Sequence, residues 1–430
     1  MSDARDALNR RIDAERERLV RFFQDFVRID TSNPPGDTRS GAALIRRVLE
    51  ASGIEHRVIA PQEAMPNIVA SFAGAAPGPH LILNGHIDVF PIGDSSRWSR
   101  DPLCGDIVED CVFGRGSVDM KCGTTASLFA FAYLHAIRDQ LNGRVTLTLV
   151  SDEETGGRWG SGYLVEHYTE VLGDCVLNGE PSSRYTVRFG EKGIFWLRFR
   201  VKTPGAHAAY PHLSASATKI AARLVLELEK LEALRPETPP WLARILARPE
   251  VRVAMERGLG RGAVETAGRL GVNIGVLQGG VKVNMLPGDC VVEADFRLPV
   301  GLSRARVLEE VRAIVRRFPE VSFEEPPETI DASASDPEHP MLRIIQDNAQ
   351  ASTGVRPVPV VTLGGTDCRF WRANGVPAFV YGCLPDRMGA PDERVPVGEF
   401  LDVVRVHTLS AYDFLMRGDA RNPADRIPGR

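Results

Sequence analysis

The chain has 430 residues, which at roughly 100–200 residues per domain is enough for two or three domains. Apolar residues make up 43% and charged residues 25%, the balance of an ordinary globular protein. Its 52 Lys and Arg against 56 Asp and Glu leave a net charge of −4, which offers no electrostatic footprint for nucleic acid or an anionic membrane surface. No apolar run reaches the roughly 18 residues of a membrane span. The charged start MSDARDALNRRIDAERERLVRFF lacks the apolar core of a signal peptide, so a cytoplasmic location is expected. The seven cysteines include no CxxC pair and fit reduced thiols better than a disulfide framework.

In chain order, residues 7–29 read as an amphipathic helix with Leu8, Ile12, Leu19, Phe22, Phe23 and Phe26 on its apolar face. TSNPPGD at 31–37 stops it. A helix over 40–52 follows, then strands at 55–60 and 67–73. LILNGHIDV at 81–89 is a short apolar run ending in a Gly turn, and 120–137 is a helix. RVTLTLV at 144–150 alternates as a strand does, and CVLNGEP at 175–181 is a strand with a turn. Strands alternating with helices predict an α/β sheet with helices packed on it.

The character changes near 187. VRFGEKGIFWLRFRVKT reads as a strand hairpin around a Gly turn, followed by a helix over 214–234 and the break PETPP. A helical insertion runs to about 270. Two strands, GVNIGVLQGG and DCVVEADFRLP, and a helix over 303–318 complete a small two-layer α+β unit. After the PPE break near 326, strands within 358–367 and 377–382 and a helix over 398–417 restore the α/β pattern. The predicted architecture is a catalytic α/β domain with a mixed sheet flanked by helices. It is built from residues 1–185 and 327–430, with an α+β lid, 186–326, inserted between them.

The chemistry concentrates at strand ends, where α/β proteins gather ligand sites. His86 and Asp88 end one strand, Asp119 lies in the turn GRGSVDMKCG, Glu153 and Glu154 follow a second strand, and Glu180 follows a third. Isolated surface turns would not repeat carboxylates at successive strand ends. A divalent cation explains them together, since imidazole and carboxylate suit Zn²⁺, Mn²⁺ or Co²⁺. Asp88, two residues beyond His86, can hold the far ring nitrogen and fix the tautomer. Glu153 and Glu154 are adjacent, so one can bind metal while the other serves as a general base toward water, which zinc acidifies to a pKa of about 7.

LNGHIDVFP, GRGSVDMKCG, SDEETGG, NGEPS, TPGAHAAYPH, GGVKVNMLPGD, ADFRLP and LGGTDCRFW occur in this order. Together they resemble the metallopeptidase family of aminoacylase, carboxypeptidase G, acetylornithine deacetylase and succinyl-diaminopimelate desuccinylase. The resemblance spans about 20 to 415. It implies that His86 and Glu180 hold one metal, that Asp119 bridges two metals or holds one, and that Glu154 serves the second. Glu153 would be the general base and Asp88 the residue orienting His86. His207 would reach the partner subunit's active site and stabilise the oxyanion, with the lids forming a homodimer. Asn284, Arg297 and the turn Gly364, Gly365, Thr366, Asp367 would line the site of a small carboxylate-bearing substrate. A cis peptide between Asp119 and Met120 is implied as well.

One departure matters. Where the family supplies a late histidine to the second metal, DRMGAPDERV has Gly389. Two carboxylates, Asp119 and Glu154, without an imidazole make a weak transition-metal site, so one tightly bound metal per chain is expected. Glu393 remains, and Asp386 is the available substitute. Three functions fit the sequence. The first is a deacylase or dipeptidase cleaving an amide C–N bond. The second is an aminohydrolase releasing ammonia from an aromatic amine, as nitroanthranilate aminohydrolase of this broad family does. The third is an inactive binding paralogue, and retention of Glu153 and His207 argues against it.

Overall fold

A computed structural model describes residues 2–326 and 330–417. The predicted resumption of the first domain at 327 and the last thirteen residues of its second piece, 418–430, lie outside the described residues. The architecture is mixed α/β, as predicted.

The N-terminal segment forms two helices rather than one, α1 (Ser2–Ala14) and α2 (Arg16–Val27). The break falls at Glu15, whose carboxylate accepts from Arg11 at 2.8 Å, Arg18 at 2.7 Å and the Tyr133 hydroxyl at 3.2 Å. The apolar stripe is as read: Leu8, Ile12, Leu19, Phe22, Phe23 and Phe26 are all buried. Helix α3 (Arg39–Ala51) leads into β1 (His56–Ile59), β2 (Asn67–Ala73) and β3 (Ala76–His86). Helix α4 (Cys122–Ala136), β4 (Asn142–Val150), β5 (Cys175–Asn178) and β6 (Thr186–Glu191) follow.

The hairpin predicted over 187–203 does not form. Strand β6 lies in the large sheet, whereas β7 (Gly193–Lys202) belongs to a separate four-stranded sheet. The chain crosses between them at Lys192, whose ammonium donates to the carbonyls of Thr266 at 2.9 Å and Arg269 at 2.6 Å. A hairpin reading fails here because β6 is buried along its whole length, while β7 alternates. In β7, Phe195, Leu197, Phe199 and Val201 face a core and the residues between them face outward.

That smaller unit contains α5 (Ala217–Glu229), β8 (Gly271–Gly279), β9 (Asp289–Leu298), α6 (Arg304–Val315) and β10 (Val321–Glu324). Its sheet runs β8-β9-β7-β10 and carries its own core around Phe195, Leu224, Phe296 and Val311. The helical insertion becomes three short helices within 240–267. Their Leu242, Val251, Met255 and Val264 join the core of the large sheet instead.

The chain then returns through β11 (Ser333–Ala334), α7 (Pro340–Thr353), β12 (Val358–Thr362), α8 (Cys368–Ala373), β13 (Ala378–Val380) and α9 (Val397–Leu415). The large sheet runs β1-β2-β4-β3-β5-β13-β6-β11, with β12 paired to β6. Strands β4, β3 and β5 are parallel neighbours. Their C-terminal ends therefore emerge at one edge of the sheet, and this places the site. Among the described residues, no helix is long and apolar enough to cross a membrane.

Candidate metal centre

His86 ends β3, Glu153 and Glu154 form a turn just past β4, and Glu180 lies two residues past β5. Asp119 comes from the turn that precedes α4, and its bond to Met120 is cis. The approach of that turn to Glu180 depends on two glycines. A Cβ at Gly123 would stand 1.9 Å from the Gly179 carbonyl oxygen, and one at Gly179 would stand 2.5 Å from the Gly123 Cα. Only residues without side chains let the start of α4 close on the Glu180 turn.

One ligand atom from each of His86, Asp119 and Glu180 lies within 4.8 Å of the others. His86 Nε2 is 3.2 Å from Asp119 Oδ1 and 3.2 Å from Glu180 Oε1. Its Nδ1 is 2.8 Å from the Asp88 backbone carbonyl. A carbonyl only accepts, so Nδ1 carries a hydrogen and the ring aims Nε2 between the two carboxylates, where its lone pair is free whenever the ring is neutral. The expected tautomer-fixing contact is thus made chiefly by the Asp88 main chain, the carboxylate being 3.5 Å away.

The Asp88 carboxylate has a further task. It accepts from Asn33 at 2.9 Å and from the backbone N–H groups of Glu153 at 3.2 Å and Glu154 at 3.1 Å. It therefore ties the His86 strand end to the glutamate turn. Burial works against its charge, but His86, Asn33 and these amides hold its pKa below the usual value.

The cluster is short of positive charge. Burial and the nearby Asp119 push Glu180 up to about 8 and Glu154 well above the usual carboxylate range. Burial disfavours a charged His86, yet Asp119, Asp88 and Glu180 together raise its pKa well above 6.5. Glu154 Oε1 is buried without a hydrogen-bond partner. A buried imidazole lone pair facing two carboxylates, with an unpartnered third carboxylate beside them, fits a divalent ion.

Glu153 is held differently. Its Oε1 accepts from Arg369 Nη1 at 2.8 Å, and both side chains are nearly buried. Arg369 escaped the sequence reading because within LGGTDCRFW nothing marked it apart from the polar turn beside it. Asp367, in the same turn, is fully buried with both carboxylate oxygens unpartnered, and burial and Glu153 push it up to about 7. Thr366 is not open to a ligand in this arrangement. Its hydroxyl donates to Glu191 at 2.8 Å and accepts from the Cys368 amide at 3.2 Å. Gly365 lies beside Ile194 and Arg369.

Glu393 is also committed. It pairs with buried Arg115 and accepts from the amides of Val118 at 2.8 Å and Asp119 at 3.2 Å, supporting the Asp119 turn from behind. Asp386 is not part of the ligand group. Gly389 has φ +71 and donates no side chain, while its carbonyl accepts from Arg115 at 3.0 Å. His207 and Asn284 meet in the smaller unit, with Asn284 Nδ2 3.5 Å from His207 Nε2. Arg297 pairs with Asp295 at 2.8 Å. None of these three has a described contact with the ligand cluster.

Residues 82–413 match the model of peptidase family M20/M25/M40. The chain belongs to that family. It is a metal-dependent hydrolase acting on C–N bonds. A succinyl-diaminopimelate desuccinylase of Cereibacter sphaeroides is 26% identical over 406 residues, covering 92% of this chain and 98% of that protein. An M20 family metallo-carboxypeptidase from Sulfolobus solfataricus shares the fold with a TM-score of 0.79 at 15% identity, over 93% of this chain and 99% of that one. A di-peptidase of Saccharomyces cerevisiae does so with a TM-score of 0.76 at 14% identity, over 96% and 99%.

Proposed function

We propose that this M20 hydrolase is a deacylase or dipeptidase that cleaves an amide bond in a small, carboxylate-bearing substrate. The observation that carries the reading is the meeting of His86, Asp119 and Glu180 within 4.8 Å, with Glu153 beside them on the turn fixed by Asp88. His86, Asp119 and Glu180 would hold one divalent ion, zinc or manganese, and Glu154 would serve a second metal where one binds. When bound, the ion would polarise the amide carbonyl and acidify water.

Glu153 takes a proton from the attacking water and delivers it to the departing amine. Arg369 keeps the Glu153 carboxylate aimed. Asp88 keeps the Glu153–Glu154 turn in register with His86. Asn284, Arg297 and the Gly365–Thr366 turn line the substrate side. For Thr366 this requires its hydroxyl to leave Glu191 or its backbone to serve instead.

A homodimer is part of the proposal. Strand β8 is an open edge of the smaller sheet, and Val281 and Val283 beyond it are 92% and 98% exposed. An apolar, unpaired edge favours association. His207 of one protomer would then stabilise the oxyanion at the other's site.

Metal analysis of the purified protein, with a screen of N-acyl amino acids, dipeptides and aromatic amines, tests the reading. We expect about one equivalent of retained metal and amine release from an acylated or peptide substrate. Ammonia release from an aromatic amine with no amide cleavage would favour the aminohydrolase alternative instead, and no metal retention would refute the reading.

A further inference from the structure

A cavity of about 190 Å³ lies where the helical insertion meets α7. None of the residues that line it belongs to the ligand cluster. Arg244 and Arg248 reach it from the insertion, the first on the helix Pro240–Leu246 and the second at the N-cap of the helix Pro249–Leu259. Arg343 reaches it from the first turn of α7. Trp241 lines it too, half-buried, with its ring centroid 5.7 Å from that of Phe189.

Among the described residues, none of these three guanidinium groups makes an ion pair or a side-chain hydrogen bond. Acids are not scarce, because the chain carries 56 Asp and Glu against 52 Lys and Arg. Neighbouring arginines find them: Arg252, on the helix that Arg248 precedes, pairs with Glu265 at 2.5 Å, and Arg356 pairs with Asp347 of α7 at 2.5 Å. Glu338 is the one acid that lines the cavity, and it pairs with none of the three.

Like charges around one cavity repel each other. Two of them also stand where a helix disfavours a cation. Arg248 precedes an 11-residue helix and Arg343 lies in the first turn of a 14-residue one, and the positive end of the helix dipole opposes both. An anion in the cavity reverses each of these effects. Three arginines against one glutamate leave a formal surplus of two positive charges, which a dianion balances. A phosphoryl group carries close to two negative charges at neutral pH and three strong acceptor oxygens, so it can meet guanidinium forks that arrive from three elements. A single carboxylate carries one charge on two oxygens. The volume is below the roughly 300–1,000 Å³ of a drug-sized pocket, which suits a small ligand.

We propose that this cavity is a binding site for a phosphoryl group, free or on a small metabolite, and that the bound group ties the insertion to α7. The site is separate from the hydrolase reading above, which assigns nothing to these residues.

The test uses metal-loaded, full-length protein in calorimetric titrations with orthophosphate, glycerol 3-phosphate and malonate. Malonate is a dianion that carries its charge on two planar carboxylates. Wild type should bind a phosphate saturably and malonate about tenfold or more weakly, the scale of one charge-assisted hydrogen bond. Tighter binding of orthophosphate or of its ester names the source and supports the site either way. Arg244→Gln, Arg248→Gln and Arg343→Gln should each weaken phosphate binding by about tenfold, whereas Arg252→Gln, outside the cavity, should stay within about twofold of wild type. The same titration on metal-free wild type separates this site from the metal centre, and phosphate binding that vanishes with the metal overturns the proposal. A readout that needs no variant is arginine modification by phenylglyoxal, mapped by mass spectrometry: bound phosphate should shield Arg244, Arg248 and Arg343. No saturable phosphate binding, equal binding of malonate, binding indifferent to the three substitutions, or absence of shielding at these arginines overturns the proposal.

Discussion

Glu153 and Glu154 are neighbours in sequence with opposite surroundings. Glu154 turns toward Asp119 and leaves a buried oxygen unpartnered, while Glu153 is met by Arg369 at 2.8 Å. That difference divides the roles of ligand and base. Glu153→Gln keeps an acceptor for Arg369 but cannot take a proton. It should lower kcat by about 10²–10⁴ while metal content stays at the wild-type value, because Glu153 is outside the ligand group. Parallel loss of metal and activity would make Glu153 a ligand instead. The ligands themselves were legible in the sequence, since His86 and Glu180 stand at predicted strand ends beside glycines and Asp119 in the Gly-rich turn GRGSVDMKCG. Arg369 and Arg115 were not. Their meaning lies in which carboxylate each one meets across more than 180 residues of chain, in the Glu153–Arg369 and Arg115–Glu393 pairs.

At the scale of elements, β3 and β5 were readable as short apolar runs and β4 by its alternation. Two errors had a common cause. Periodicity reports which face of a strand is buried and not which sheet buries it, so β6 and β7 looked like one hairpin. Likewise, the helices within 240–267 looked like part of the lid although they pack on the large core. The segment from Tyr381 to Glu393 is irregular, and Gly389 within it carries the second-site question. A Cβ there would meet only Phe90 Cδ1, at 3.9 Å. Space is available, but φ +71 is a conformation that costs a non-glycine residue about 1–3 kcal/mol. Gly389→His should therefore gain a second, weaker metal equivalent in equilibrium dialysis while losing some thermal stability. An unchanged stoichiometry would mean that the loop holds position 389 away from Asp119 and Glu154. Helix α9 makes a separate prediction. Burial lowers the pKa of its His407 to about 4, although the contact of Nε2 with the Tyr381 carbonyl at 2.7 Å opposes this. The unfolded chain, with a His pKa near 6.5, binds the proton first. Stability is therefore intact above pH 6.5 and is lost as the pH falls toward 4, by up to about 3 kcal/mol. Burial and Arg144 lower His80 to about 4 as well, and it contributes with the same sign. His407→Gln can still donate to Tyr381, and its melting temperature should fall less steeply between pH 6.5 and 4.5. An identical slope would show that His407 does not remain neutral.

For the whole molecule, the proposed oxyanion donor His207 has, among the described residues, no contact with the ligand cluster of its own chain. His207 is exposed, its Nδ1 accepts from the Ala209 amide at 3.2 Å, and its Nε2 meets only Asn284 among the described residues. Around it, Tyr210, Leu213 and Met285 present 53%, 62% and 46% of their surface, a large apolar exposure for a free surface. If two smaller units pair through this face, His207 of one protomer can serve the metal centre of the other. His207→Ala should then lose about 10²–10³ in turnover and keep its metal, while Glu153→Gln loses its base and also keeps its metal. Each homodimer is inactive for a different reason. When the two are mixed in equal amounts and subunits exchange, random pairing makes about half of the dimers mixed. Each mixed dimer has one site with both groups intact and one with neither, so the mixture should recover up to about a quarter of wild-type activity. Exchange is followed independently by mass-tagging one variant. Recovery at that level requires His207 to act across the interface. Full exchange without recovery would mean that His207 serves its own chain through a closure of the smaller unit about Lys192, or has no part in the reaction.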